Sequence, residues 1–367
     1  MGSLSETLFC SLPQVETDEI FDLMAAFRRD THPDRVNLGS GVYCSNEGLS
    51  QPLKVVAQAE KILTEQNDIN RHDYRPIRGD PEFLDLAREL TFSNQGNVSY
   101  TEPSATESRV ISVQTISGTG ANHIGARFLA ENMRPHCVWL SDPTWGNHNL
   151  IWDTVGVAQR KYPYYRKSNC EFDFAGMMAV LNKEARPHDI IVLHACAHNP
   201  TGMDPSREQW IAIAELCQRK QLFPFFDSAY QGFASGDTDQ DAWAIRYFYQ
   251  LQHPIEMCVA QSFSKNFGLY GQRAGAFHLV VNSHSASTNE NILNNLCQLI
   301  RSEYSVSPRF GSDIVKTVLK NKDLTAGWHS ELKEMSARLI LMRQRLYDEI
   351  CRLQTPGSWE HIINQVR

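Results

Sequence analysis

The chain opens without positive charge: Met1 to Gln14 contain no Lys or Arg and include Glu6, which excludes a basic amphipathic mitochondrial leader. Met1-Gly2-Ser3-Leu4-Ser5-Glu6 begins like a myristoylation site but has Glu6 where Ser or Thr is needed. No apolar run approaches the length that spans a bilayer. Nine cysteines stand at irregular spacing; with no secretory leader they read as reduced thiols, and none is assigned to a disulfide. Lys and Arg number 35 against 42 Asp and Glu, a net charge of -7, so binding a phosphate backbone is excluded as the main task. These absences point to a cytoplasmic protein with neither nucleic acid nor membrane as a partner.

With 367 residues, 42% of them hydrophobic, the chain exceeds one typical core and is expected to form a large domain and a second, smaller one. Apolar strand candidates at Val110–Ile116, Cys137–Leu140, Ile190–His194, Leu222–Asp227, Met257–Phe263 and Gly275–Val281 alternate with helical segments such as Asn122–Met133 and Arg207–Lys220. The alternation predicts an α/β fold with a mainly parallel sheet flanked by helices. Ligands of such sheets gather beyond the carboxyl ends of the strands. That is where the sequence puts Ser117-Gly118-Thr119, Asp142-Pro143-Thr144-Trp145, the run from His194 to Gly202, Asp227 and Lys265.

Lys265, in Gln261-Ser262-Phe263-Ser264-Lys265-Asn266-Phe267-Gly268, is the most informative residue. An apolar strand delivers it, two hydroxyls precede it and Arg273 follows, so an amine stands amid anion-binding donors. That arrangement suits a Schiff base to a phosphorylated aldehyde. Ser117-Gly118-Thr119-Gly120, between strand and helix, offers hydroxyls and backbone N–H groups to an anion at a helix N-terminus; taken alone it is equally an ordinary helix cap. Asp227 ends the apolar run Leu222 to Phe226, where an unpaired carboxylate is costly to bury. It needs a cationic partner: a pyridinium nitrogen serves, and a helix cap or buried salt bridge is the other reading. Tyr230 follows in the same turn, within reach of a ring oxygen. His194-Ala195-Cys196-Ala197-His198 alternates potential metal ligands, but no further Cys or His pair stands at structural-zinc spacing. No metal is therefore expected, and the two histidines read as shaping a polar pocket ahead of the turn Asn199-Pro200-Thr201-Gly202, whose Asn amide reaches the site.

A family resemblance rests on Val36-Asn37-Leu38-Gly39, Ser117-Gly118-Thr119-Gly120-Ala121, Asp142-Pro143-Thr144-Trp145-Gly146-Asn147-His148, His194 to Gly202, Phe226 to Phe233 and Gln261 to Tyr270. From near residue 20 to its end the chain resembles the class I, fold type I pyridoxal-phosphate-dependent aminotransferases, and within them the aspartate aminotransferase group. The resemblance implies pyridoxal 5'-phosphate as cofactor, Lys265 as the lysine bonded to it, Asp227 as partner of its ring nitrogen, and Tyr230 and Asn199 as donors to its ring hydroxyl. It further implies that Trp145 stacks on the ring and that Ser117, Gly118, Thr119, Ser262, Ser264 and Arg273 surround the phosphate. Tyr74, in Asp73-Tyr74-Arg75-Pro76, corresponds to a tyrosine that reaches the phosphate of the neighbouring subunit, which implies a homodimer. Arg301 matches the arginine that pairs, across the dimer, with the distal carboxylate of dicarboxylic substrates, a task suited to a bidentate guanidinium. Gly41, Trp145 and Asn199 complete the implied substrate contacts. The family plan divides the chain into an arm with part of a small domain (1–50), a large cofactor-binding domain (51–325) and the rest of the small domain (326–367). The implied activity moves an amino group between amino acids of the aspartate and glutamate type and 2-oxo acids, with an aromatic side chain admitted if Arg301 swings away.

The chain also departs from that family. Ser40 takes a usually aliphatic position that closes over the substrate, which weakens the seal against water or alters preference. Glu303, two residues from Arg301, competes with the substrate if both point inward, and Arg75 and Arg78 flank Tyr74 where the family is commonly apolar. The family continues past the counterpart of Trp359 to Gln365 into strands and a helix that hold the arginine clamping the substrate α-carboxylate. No arginine here matches that motif, and Arg367 is not taken for it. Leu332, Met335, Leu339, Met342 and Leu346 recur at alternating three- and four-residue steps on a helix that expects a covering layer. The expectation is a chain that binds cofactor more convincingly than it turns over aspartate; the alternative is a cofactor-binding relative with weak or altered activity.

Overall fold

The computed structural model describes residues 7–365 except 16, 18, 38, 40, 67, 71, 94–108 and 284. Ser40, Arg367 and the opening Met1 to Glu6 lie outside the described residues. Contacts divide the chain into two units, Met1–Gln51 and Pro52–Arg367. In the first, helix Glu19–Arg29 leads into irregular chain, and Cys44 and Ser50 form an antiparallel bridge just after Gly41. The Arg35 guanidinium lies over the Phe27 ring, 4.9 Å from its centroid, tying the helix to the chain that follows.

The second unit holds β1 (Val110–Ile116), β2 (Val138–Asp142), β3 (Gln159–Pro163), β4 (Tyr165–Arg166), β5 (Glu171–Phe172), β6 (Ile190–His194), β7 (Phe223–Ser228), β8 (Met257–Ser262) and β9 (Ala274–Val280). Seven of them form one sheet in the order β1-β9-β8-β7-β6-β2-β3, and β4 pairs with β5. β9 runs opposite to the other six strands of that sheet. The carboxyl ends of β1, β2, β6, β7 and β8 and the amino end of β9 therefore share one edge.

Each predicted apolar run forms a strand, because it supplies side chains for both covered faces. Phe225 and Phe226 show the division, since neighbours on a strand point to opposite faces. Phe225 packs on Trp152 and Phe277, with centroids 6.0 and 6.3 Å away, whereas Phe226 packs on Trp210 and Phe248 at 6.0 and 5.0 Å. Helix Arg207–Lys220 falls where expected, started by a capping box: the Gln209 N–H donates to Ser206 Oγ at 3.3 Å and the Ser206 N–H to Gln209 Oε1 at 2.8 Å.

Two features differ from the sequence reading. The helix expected from Asn122 begins at Ser117, so Ser117-Gly118-Thr119 is its first turn rather than a preceding loop. Strand β3 carries Gln159-Arg160-Lys161 and has no apolar run to announce it; as the sheet's edge it keeps those polar side chains outward. Helix Lys322–Arg352 continues unbroken through residue 325. Leu332 and Met335 are buried, Leu339 and Met342 half-buried and Leu346 exposed, so the cover expected over this stripe thins along the helix. Among the described residues no helix is long and apolar enough to cross a membrane.

Candidate active site

Strand register sets several chemical residues at one height. Ser117 follows β1, Ser262 ends β8 and Arg273 precedes β9, with Ile116 opposite Ala274 and Ser262 opposite Gly275. Ser117 Oγ lies 2.7 Å from Ser264 Oγ and 3.1 Å from Ser262 Oγ. Arg273 Nη1 donates to Ser264 Oγ at 3.4 Å and to the Tyr270 carbonyl at 2.9 Å. Ser117 and Arg273 both have left-handed backbone, φ 56° and 54°, and the Ser117 N–H donates to the Arg273 carbonyl at 3.2 Å. A Cβ on Gly118 would stand 3.0 Å from Ser262 Cβ, so a glycine permits this approach of helix to strand. Ile116, at the N-cap of helix Ser117–Asn132, offers the first turn no side-chain cap. Burial lowers the pKa of Arg273 from the usual arginine range, so its charge gains from an anion. Hydroxyls, a guanidinium and an uncapped helix start together suit a phosphate.

Asp227, on β7 opposite His194 of β6 and Ala260 of β8, is 8% exposed. Its Oδ2 lies 3.0 Å from His148 Nε2. Thr144 Oγ1 lies 2.9 Å from His148 Nδ1 and 3.2 Å from His194 Nε2, while the Asn199 N–H donates to His194 Nδ1 at 3.2 Å. That backbone donor sets the direction of the chain. With Nδ1 of His194 accepting, Nε2 donates to Thr144, whose hydroxyl donates to His148 Nδ1, and His148 Nε2–H is left to donate to Asp227. Asn199 thus enters through its backbone, and Thr144 and His148, which the sequence offered only as members of the motif from Asp142 to His148 and without a role, join the site as the links to Asp227. Thr144 stands just ahead of helix Gly146–Thr154 and His148 lies in its first turn.

His198 does different work from His194. It is fully buried, 2.8 Å from Ser141 Oγ and 2.9 Å from Thr201 Oγ1, and stacked on Tyr164 with centroids 3.7 Å apart. Among the described residues no three His, Cys, Asp or Glu side chains are grouped to hold a metal ion.

Lys265 Nζ stands 4.9 Å from the Tyr270 ring centroid and 6.0 Å from that of Tyr230. Tyr230 is buried against Cys196 and Ala197. Trp145 precedes helix Gly146–Thr154 with its ring edge-on to His148, centroids 5.2 Å apart, and Thr119 is half-buried in the first turn of its helix. Tyr74 is 88% exposed, Arg301 is exposed and donates to Ser305 Oγ, and Gly41 belongs to the first unit. Glu303 pairs with Arg127 and, at 3.3 Å, with His123 rather than with Arg301. Burial opposes the Glu303 charge, but those partners hold its pKa below the usual carboxylate value.

A family model described as "Aminotransferase class I and II" matches residues 33–366. The chain belongs to this family. It is a pyridoxal-phosphate-dependent aminotransferase of fold type I. An L-tyrosine:2-oxoglutarate aminotransferase of Aspergillus ustus is 52% identical over 356 residues, 97% of this chain and 68% of that protein. The cytoplasmic aspartate aminotransferase of Schizosaccharomyces pombe is 41% identical over 367 residues, covering 99% and 87%. Among solved structures, the cytoplasmic aspartate aminotransferase of Saccharomyces cerevisiae matches with a TM-score of 0.92 at 38% identity, covering 98% of this chain and 86% of that one. The aminotransferase site fits the cofactor: the serine–arginine cluster suits its phosphate, the oriented buried carboxylate its ring nitrogen, and an amine among aromatic faces its aldehyde. When bound, the cofactor supplies a protonated ring that draws electrons from the substrate Cα.

Proposed function

We propose that this aminotransferase transfers the amino group of aspartate or glutamate to a 2-oxo acid, as a homodimer in the cytoplasm. One observation carries the site assignment: Lys265, Asp227 and the cluster of Ser117, Ser262, Ser264 and Arg273 meet on one edge of the sheet. In this reading Lys265 bonds the cofactor and, once released by the incoming amino acid, carries the proton at its Cα. Asp227, aligned by His148, keeps the ring nitrogen protonated. Gly118 and Thr119 join the cluster at the phosphate, Tyr230 and Asn199 attend the ring hydroxyl, and Trp145 covers the ring. The exposure of Tyr74 and Arg301 suits service to a second copy of the chain, Tyr74 at its phosphate and Arg301 at the distal carboxylate of its substrate, with Gly41 as a further substrate contact. Because Glu303 is engaged by His123 and Arg127, it does not compete for Arg301. The division into 1–50, 51–325 and 326–367 belongs to the same proposal, as does the cytoplasm, which the names of several relatives support.

A second reading has tyrosine as the amino donor. It is favoured by the 52% identity to the tyrosine:2-oxoglutarate aminotransferase, against 41% to the fission-yeast aspartate enzyme. The test is to reconstitute the protein with pyridoxal phosphate and follow its visible absorption band on adding aspartate, glutamate or tyrosine. Conversion by the dicarboxylates supports the first reading, conversion by tyrosine alone selects the second, and conversion by none leaves a cofactor-binding protein. Borohydride reduction and peptide mapping should label Lys265, and label on another lysine overturns the site. Lys265→Ala should stay folded and lose on the order of 10^2- to 10^4-fold in turnover, the usual worth of a positioned proton carrier.

A further inference from the structure

Tyr74 is 88% exposed, yet the chain on either side of it is held by charge. Arg75 Nη2 donates to both oxygens of Asp313, at 2.9 and 3.2 Å, and Nη1 lies 3.4 Å from Asp80 Oδ2. Lys316 Nζ lies 2.6 Å from the same Asp80 oxygen and 3.5 Å from Asp313 Oδ1. Arg309 donates through Nε to Asp313 Oδ2 at 2.8 Å, through Nη1 to the Asn70 carbonyl at 2.5 Å, and through Nη2 to Asp68. Asp80 and Asp313 are 3% and 6% exposed. Two buried carboxylates are thus ringed by three cations, and those contacts grip the loop before Tyr74, at Asp68 and Asn70, and after it, at Arg75 and Asp80.

The far side of the loop is fixed to β1. Gly79 has φ 106°, and a Cβ there would stand 2.2 Å from Gln114 Cβ, so only glycine fits. Gln114 donates its N–H to the Arg78 carbonyl at 2.8 Å and accepts the Asp80 N–H at 3.2 Å. Gln114 lies on the strand that leads into Ser117 of the phosphate cluster.

Burying carboxylates is costly unless each is fully paired, and an apolar contact would secure a loop at least as well. The charged arrangement makes sense if its product is direction: a planar guanidinium spanning two carboxylates fixes geometry as well as energy. A tyrosine already held in its projecting pose loses less conformational freedom when it meets its target. We propose that Arg75, held by Asp313 and Asp80, is a positioning residue for Tyr74 and aims its hydroxyl at the cofactor phosphate of the partner subunit. This rests on the reading of Tyr74 given above.

The experiment is a double-mutant cycle on the dissociation constant for pyridoxal phosphate, titrated into the apoprotein, with the melting temperature of each variant recorded. Tyr74→Phe should weaken binding, and Arg75→Met should weaken it about fivefold, the scale of one reordered side chain. Arg75→Lys, which keeps the charge without the fork, should lose less than Arg75→Met, and Arg75→Met should cost nothing further when added to Tyr74→Phe. Wild-type affinity in both Arg75 variants overturns the proposal. An equal loss from Arg75→Met with and without Tyr74→Phe also overturns it, because Arg75 would then act independently of the tyrosine. Wild-type affinity in Tyr74→Phe itself removes the reading of Tyr74, and this inference falls with it.

Discussion

Asp227 and Asp241 are both buried carboxylates, 8% and 6% exposed, on either side of the turn that carries Tyr230. Their surroundings are opposite in kind. Asp227 faces a titratable ring whose orientation is fixed through His148, Thr144 and His194 to one backbone N–H. Asp241 Oδ2 accepts the N–H groups of Gly232, Ala234 and Ser235 at 2.7, 3.2 and 3.3 Å, and burial pushes its pKa up to about 6. Closing a turn requires only an acceptor, so at Asp241 the charge is a burden that the fold tolerates. A donor chain aligned on one carboxylate oxygen fixes the direction of that group, which suits the outside partner proposed for it.

The largest expected effect breaks the comparison if it fails. Asp227→Asn is nearly isosteric and, in the role proposed for Asp227, removes the charge that keeps the ring nitrogen protonated. It should lower single-turnover rates on the order of 10^3-fold, the scale seen for one preorganised electrostatic partner, and shift the melting temperature little. Stopped-flow rates beside a thermal melt decide the matter. An unchanged rate with a large loss of stability would make Asp227 a structural carboxylate like Asp241.

The same contrast explains what was legible in the sequence. β1 and β6 have the bounds that their apolar-rich runs suggest, because a strand covered on both faces draws most of its side chains from apolar residues. Strand β3 was silent because an edge strand can be polar, and helix Ser117–Asn132 began early because Ser117 and Gly118 are poor helix formers kept at its start. Lys265 and Asp227 stood out because each is a charged residue at the end of an apolar run. His148 did not, since nothing local marks a contact with a residue 79 positions away. Arg75 was visible only as a departure, and its meaning depended on Asp313, which no local pattern joins to it.

A buried histidine sharpens the comparison. His278 is fully buried, with Nε2 2.9 Å from Gln261 Oε1 and Nδ1 2.8 Å from Ser112 Oγ, so Nε2 carries the hydrogen and Nδ1 accepts the hydroxyl proton. Burial, aided by the charge of Arg88, pushes its pKa down to about 3 from 6.5. A depressed histidine stabilises the fold fully above 6.5 and loses that contribution as pH falls toward 3. Between pH 7 and 4.5 the wild type should lose about 3 kcal/mol that His278→Gln, which offers an amide to both partners, does not lose. Urea unfolding at the two pH values measures the difference. Equal losses in both proteins would remove His278 from the acid response.

The smallest expected effect has the opposite sign. With its pKa raised to about 6 from 3.8, Asp241 contributes stability that is full below 3.8 and is lost as pH rises through 6. Asp241→Asn keeps one amide oxygen for the three N–H donors and carries no titrating proton, so it should escape that loss. Relative to the variant, the wild type should lose about 2 kcal/mol between pH 4 and 7, with turnover the same in both. Because His278 loses stability on acidification and Asp241 on alkalinisation, the two partly cancel near pH 5. Asp241→Asn should therefore be more acid-sensitive than the wild type, and His278→Gln less. Unfolding free energies taken at half-unit steps from pH 4 to 7 give the slopes directly. A slope for Asp241→Asn parallel to the wild type would place Asp241 in the ordinary carboxylate range.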